Sequence, residues 1–206
     1  MLIIQCFKGI SHFVLIYLYA NSSTADYQMK REVTQYIGET MRALEKQGGF
    51  YISDVSNRIE YTEEEIRSIQ EGGKKPNHVL QIVPYGGGRG NALLCFNFNQ
   101  ELLAGKTVGE IDDILKKSDL SVANSLYEAL IHESAHAECM QGKTLSDIDS
   151  MAKELKGQGR DVGLSIISKS DGAEALAEMK VLISRGETLS ENDIEFYNKY
   201  MKIKMR

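Results

Sequence analysis

In the stretch "YEALIHESAHAECM" (residues 127–140), His132 and His136 stand four positions apart and Glu133 follows the first directly, giving His-Glu-x-x-His. On an α-helix, residues four apart point the same way, about 6 Å apart along the axis. Two imidazoles so placed can converge on one Zn²⁺ through bonds of about 2.0–2.1 Å. Glu133, rotated about 100° from His132, reaches water beside such an ion rather than the ion itself. The chemistry this pattern allows is metal-assisted hydrolysis, in which the ion draws the pKa of water toward neutrality and the carboxylate removes its proton. The chain has only four histidines, and chance produces this spacing about once in a hundred such sequences. A solvated polar helix would leave both rings in water. Instead Val122, Leu126, Leu130 and Ala137, with Tyr127 and Ile131, surround the helix with apolar groups, so an interior position is expected. Buried imidazoles beside a carboxylate need a common partner, and a metal supplies it.

A hydrolytic zinc takes three protein ligands and keeps one position open. Cys139 shares the histidine face but lies roughly 10 Å along the axis from His132, too far for one ion, and reads as a packing residue. Position 142, six residues after His136, is Gly rather than a third His. Asp147 and Asp149 fall at a helix start, where acidic side chains favour the dipole. The better candidates are Glu174 and Glu178, four apart in "GAEALAEMKVLIS" and separated only by small or apolar residues. Two carboxylates on an apolar helix are costly to bury unless a cation neutralises them. Glu174 is expected to be the third ligand. Glu178, one turn on, is expected to accept the free N–H of a ligating histidine and fix its orientation.

The elements that must position these groups can be traced along the chain. Val33, Ile37, Met41 and Leu44 mark an amphipathic helix over 24–47, stopped by Gly48 and Gly49. "FYISDV" and "RIEYT" read as short strands, and "EEEIRSIQ" as a short helix. "HVLQIVPY" (78–85) and "ALLCFNFN" (92–99) are further strands on either side of the glycine-rich "GGGRGN". A phosphate loop would need a helix directly after those glycines, and a strand follows instead, so they read as a turn. In 92–99, Leu94, Phe96 and Phe98 share one face. A sheet-edge position is expected for this strand, with those three residues meeting an extended substrate by strand addition. From residue 108 the pattern is helical: 108–117, 121–141, 145–156, 171–185, and a last helix capped by Ser190. His12 and His78 stand alone at strand starts and read as structural.

The chain has 206 residues, 42% hydrophobic and 26% charged, which fits one globular domain over 1–206. A net charge of −5 argues against a nucleic-acid binder. No stretch approaches the roughly 18 apolar residues that span a bilayer. Cys6, Cys95 and Cys139 are odd in number and widely spaced, so no disulfide framework is expected. Residues 1–22 read either as a secretory signal, with Ala20-Asn21-Ser22 as a small-x-small cleavage pattern, or as a buried first strand.

"HESAH" followed downstream by "AEALAEMKVLIS" resembles the gluzincin group of zincin metallopeptidases. The second segment is similar to the ligand helix of catalytic domains of the anthrax lethal factor type, and the layout of the first half is similar to small effector metallopeptidases that bacterial pathogens inject. The resemblance covers residues 85–185. It implies an α+β zincin-like fold, with a small mixed or antiparallel sheet in the first half, then an active-site helix and further helices. It implies Zn²⁺ on His132, His136 and Glu174, Glu133 as the base, and a protein or peptide substrate. It also implies a bacterial protein acting in the cytoplasm or as a secreted or injected effector. The chain departs from the family in having Ala173 where Asn often precedes the ligand Glu. It also has no Tyr in 161–170 to stabilise an oxyanion, which leaves Lys169 or Tyr197 for that part. Two rival classes follow from the same residues. One is a catalytically inactive zincin-like binding module. The other is a carboxylate-bridged di-iron protein, which would need a second Glu-x-x-His, whereas no histidine follows residue 136.

Overall fold

A computed structural model describes residues 29–73, 78–86, 90–118, 121–161 and 168–201. The segment read as a signal or first strand, His12, and the centre of the glycine-rich loop lie outside the described residues. Eight helices and a three-stranded sheet make up the described chain, a mixed α+β arrangement. In chain order these are α1 (Arg31–Gly48), β1 (Asp54–Ser56), α2 (Glu63–Gln70), β2 (Leu80–Tyr85), β3 (Leu93–Phe98) and the single turn α3 (Gln100–Leu103). They are followed by α4 (Val108–Leu115), α5 (Leu126–Met140), α6 (Leu145–Leu155), α7 (Gly172–Ser184) and α8 (Glu191–Tyr200). No described helix is long and apolar enough to cross a membrane.

The helices start where the sequence supplies caps. Thr62, Thr107 and Thr144 each close a capping box with the acidic residue three positions on. That chemistry explains one departure from expectation. "RIEYT" forms no strand, because Thr62 is committed as the N-cap of α2. Helix α5 starts at Leu126 rather than Ser121, because Ser125 caps it by accepting the Glu128 amide.

The sheet order is β1-β3-β2. β3 runs parallel to β1 (Asp54↔Cys95 to Ser56↔Asn97) and antiparallel to β2 (Leu80↔Phe98 to Tyr85↔Leu93). The expectation of an edge position for β3 is therefore wrong. It is the central strand, with its hydrogen-bonding groups taken on both sides. Pro84 lies on β2, an edge strand, where a residue without an N–H is tolerated.

Two buried clusters fill the interior. One joins the sheet to α1 and to one side of α5, through residues such as Ile37, Phe96, Leu126 and Leu130. The other joins α7 and α8 to Ala135 and Cys139 of α5. Helix α5 thus belongs to both and is buried almost all round, as expected for a central helix. Cys139 is one of its packing residues.

Helix α7 runs antiparallel to α5. Arg185, just past its end, grips Glu128 in the first turn of α5 with Nε and Nη2, each 2.7 Å from a carboxylate oxygen. Lys180 of α7 donates to Ser134 Oγ at 2.7 Å and pairs with Glu138, both on α5. At the other end, Gly172 lets α7 start close against its neighbours. A Cβ there would stand 3.0 Å from the Leu155 carbonyl oxygen and 3.1 Å from Phe196 Cζ.

Candidate metal centre

The two helices bring three side chains to one point. Nε2 of His132 and Nε2 of His136 lie 3.3 Å apart. Oε2 of Glu174 is 3.2 Å from the first and Oε1 is 3.5 Å from the second. Donor atoms on a tetrahedral ion with bonds of 2.0–2.1 Å stand about 3.4 Å from one another. The spacing therefore suits one small ion shared by all three residues. Among the described residues, these three form the group whose ligand atoms lie close enough to hold a metal ion. Two imidazoles and a carboxylate are a donor set for a divalent transition metal.

Electrostatics point the same way. Burial disfavours charge on His132, but the hydrogen bond and charge of Glu174, helped by Glu133 and Glu178, outweigh it and raise its pKa to about 9. Burial also acts to raise Glu174, yet the charge of His136 and the His132 hydrogen bond win and hold its carboxyl well below the usual range. His136, buried beside His132, is pushed down. Without a metal, a proton held by the two facing imidazoles, chiefly on His132, serves as the cation that Glu174 requires.

That arrangement fixes a pH dependence. A group raised from 6.5 to about 9 contributes stability fully below its unfolded value and loses it as pH climbs through the folded one. Chelator-treated protein is therefore expected to lose thermal stability between about pH 6.5 and 9, by on the order of 5 °C or more. Glu174→Gln, which removes the partner, should flatten this limb. Thermal melts across that range check it, and an equal slope in the variant contradicts it.

Glu133 is not one of the three donors. Its Oε2 accepts the Ile82 amide of β2 at 2.8 Å. Burial raises its carboxyl to about 7, against the lowering effect of His132. All four residues line a cavity of about 240 Å³, which residues 78–82, at the start of the edge strand, line as well.

The other expected site residues are placed as follows. Glu178 is fully buried one turn beyond Glu174, and its charge acts on His132. The side chain facing Nδ1 of His132 is Ser121, with Oγ 3.4 Å away. Ser121 also accepts the Ala123 amide at 3.1 Å, which fixes its hydroxyl. Nothing in its sequence spacing marks Ser121, because it reaches the ring by the turn before α5. Ser121→Ala is expected to weaken metal affinity about tenfold, read by competition with a chelator, with the melting temperature as a check on folding.

Leu94, Phe96 and Phe98 do not meet the cavity. They are 1%, 1% and 4% exposed and belong to the core, so the substrate-binding part expected of them is corrected. Of the oxyanion candidates, Lys169 is paired with Asp161 at 3.1 Å, and Tyr197 is packed in the α7–α8 cluster. Neither lines the cavity, whereas His78, read as structural, does. Neither a protein-family model nor a curated protein nor a solved structure matches the chain.

Proposed function

We propose that this chain is a zinc-dependent endopeptidase with a zincin-like arrangement. The observation that carries this is the convergence of His132, His136 and Glu174 at tetrahedral spacing, with the carboxylate of Glu133 on the wall of the same cavity. A bound zinc would supply Lewis acidity there, polarising a peptide carbonyl and acidifying water. Glu133 takes the proton from that water and returns it to the departing amide nitrogen. Glu178 supports the first of the ligating imidazoles through its charge, and Ser121 through its hydroxyl.

The edge strand β2 flanks the cavity, and its Ile82 amide points away from β3 and is held by Glu133. The di-iron alternative finds no support in a sheet-containing fold whose one described group of this kind has three members.

The test is zinc content of the purified protein together with proteome-wide cleavage profiling of wild type against Glu133→Gln. Stoichiometric zinc with cleavage lost only in the variant is the expected result. Absence of zinc would remove the proposal, and zinc without cleavage would favour the inactive binding module.

A further inference from the structure

Helices α2 and α4 have the same length and the same start, but only α4 buries side chains. Each has eight residues and opens with a Thr–Glu capping box. α4 then buries Ile111 and Leu115, at 0% and 7% exposure. None of the described side chains of α2 is buried. Its apolar residues, Ile66 and Ile69, belong to neither buried cluster, and Ile66 is 44% exposed. A helix this short is marginal in water by propensity alone and ordinarily depends on packing.

α2 is instead closed by its own residues at both ends. Thr62 Oγ1 accepts the Glu65 amide at 3.2 Å, and Glu65 Oε2 accepts the Thr62 amide at 2.8 Å. At the other end the Gly72 amide donates to the Ile69 carbonyl at 3.1 Å, and the Gly73 amide to the Ser68 carbonyl at 2.8 Å. A helix closed in this way can shift as a body without unpairing its ends.

The ties from α2 and the residues before it to the rest of the chain end on the cavity wall. His78 Nε2 lies 2.6 Å from Oε1 of Glu65, and the rings of His78 and Tyr61 are 6.0 Å apart. Gln81 bonds the main chain of Glu60 both ways, at 3.0 and 3.1 Å. His78 and Gln81 both line the cavity. The side chains of His78 and Glu65 are 25% and 24% exposed, so water competes for their bond.

We propose that α2, with residues 60–62, is a flap on the cavity rim that opens as one body and thereby frees the side chains of His78 and Gln81 for the cavity. Closed, the imidazole and the carboxamide are committed to the flap. Open, both can hydrogen-bond to what enters. Elements that move in this way are drawn from the least stable parts of a fold, and α2 is such a part. An occupant that bonds either side chain favours the open state by its differential affinity.

The experiment is residue-resolved amide hydrogen exchange on the full-length wild type, Thr62→Ala and His78→Ala. Thr62 lies outside the cavity lining, and its loss removes a cap of α2. The Glu60 amide, bonded to the Gln81 side chain, reports directly on the tie to the wall. In the wild type, amides 66–71 and that of Glu60 are expected to share one protection factor, on the order of 100-fold below that of amides 111–116. Thr62→Ala should lower it about fivefold for all of them together. His78→Ala should do the same by about fivefold through loss of its bond to Glu65. Amides of α4 and α5 should not change in either variant.

Protection of α2 equal to that of α4 overturns the flap. So does a rise in α2 exchange in Thr62→Ala that leaves Glu60 unmoved, since the helix would then fray without leaving the wall. Where Thr62→Ala does not fold, Gly73→Ala carries the same expectation from the other end, because its Cβ would stand 2.7 Å from the Ser68 carbonyl oxygen. Neither zinc nor turnover enters these measurements, so each result leaves the peptidase reading as it stands.

Discussion

Glu133→Gln is expected to retain one zinc per chain and to lose peptide cleavage by about 10²–10⁴-fold. Glutamine has the shape of glutamate and keeps an oxygen to accept the Ile82 amide, which Glu133 holds at 2.8 Å. The substitution therefore leaves β2, α5 and the three donor atoms in place. What it removes is the group that can take a proton. Burial already pushes the native carboxyl up, so a neutral side chain is tolerated at this position. Folding and metal uptake should be unimpaired. Cleavage within tenfold of wild type would assign the proton transfer to another group. Loss of zinc together with loss of cleavage would mean that Glu133 belongs to the donor set.

The second large effect concerns the donors themselves. Zinc bound only by the folded chain stabilises it by about 4 kcal/mol when free metal exceeds the dissociation constant a thousandfold. For a chain of this size that corresponds to a rise in melting temperature of about 8–16 °C. His132→Ala, His136→Ala and Glu174→Ala should each abolish most of this rise, since each removes one of three ligands. The variants differ in the metal-free state. His132→Ala takes away the imidazole that carries the compensating proton and leaves Glu174 beside His136 alone, so it should be the least stable of the three. Melting curves with and without zinc separate the two contributions. A variant whose zinc-induced rise equals that of wild type is not a ligand.

The parts of this arrangement written in local periodicity could be read from the sequence, and the parts decided by pairing or chain return could not. His132, Glu133 and His136 declare themselves because helical geometry converts a spacing of four into a shared direction. Glu174 is legible for a related reason, as an acidic group on a helix with no polar neighbours to justify it. The alternation of Leu94, Phe96 and Phe98 identifies an inward face correctly. Whether that strand is central or peripheral depends on where β1 and β2 pair, and no property of residues 92–99 decides this. "RIEYT" has strand-like composition, but the capping box at Thr62 takes precedence. His78 and Ser121 line the cavity from just before β2 and from the turn before α5, with nothing in their own neighbourhoods to mark them.

The joining of α5 to α7 has a consequence for which ions this chain would accept. Arg185 on Glu128, and Lys180 on Ser134 and Glu138, tie the two helices together at two places along their length. The three prongs are consequently preorganised, and little conformational entropy is left to lose on capture. Such a rigid seat with two nitrogen donors suits a small ion content with four neighbours. Calcium, which gathers six to eight oxygens, and magnesium, which demands an octahedron of them, find neither the number nor the kind of atoms they need. On the zinc reading, selectivity against calcium and magnesium would follow from this donor set, which helix packing holds in place.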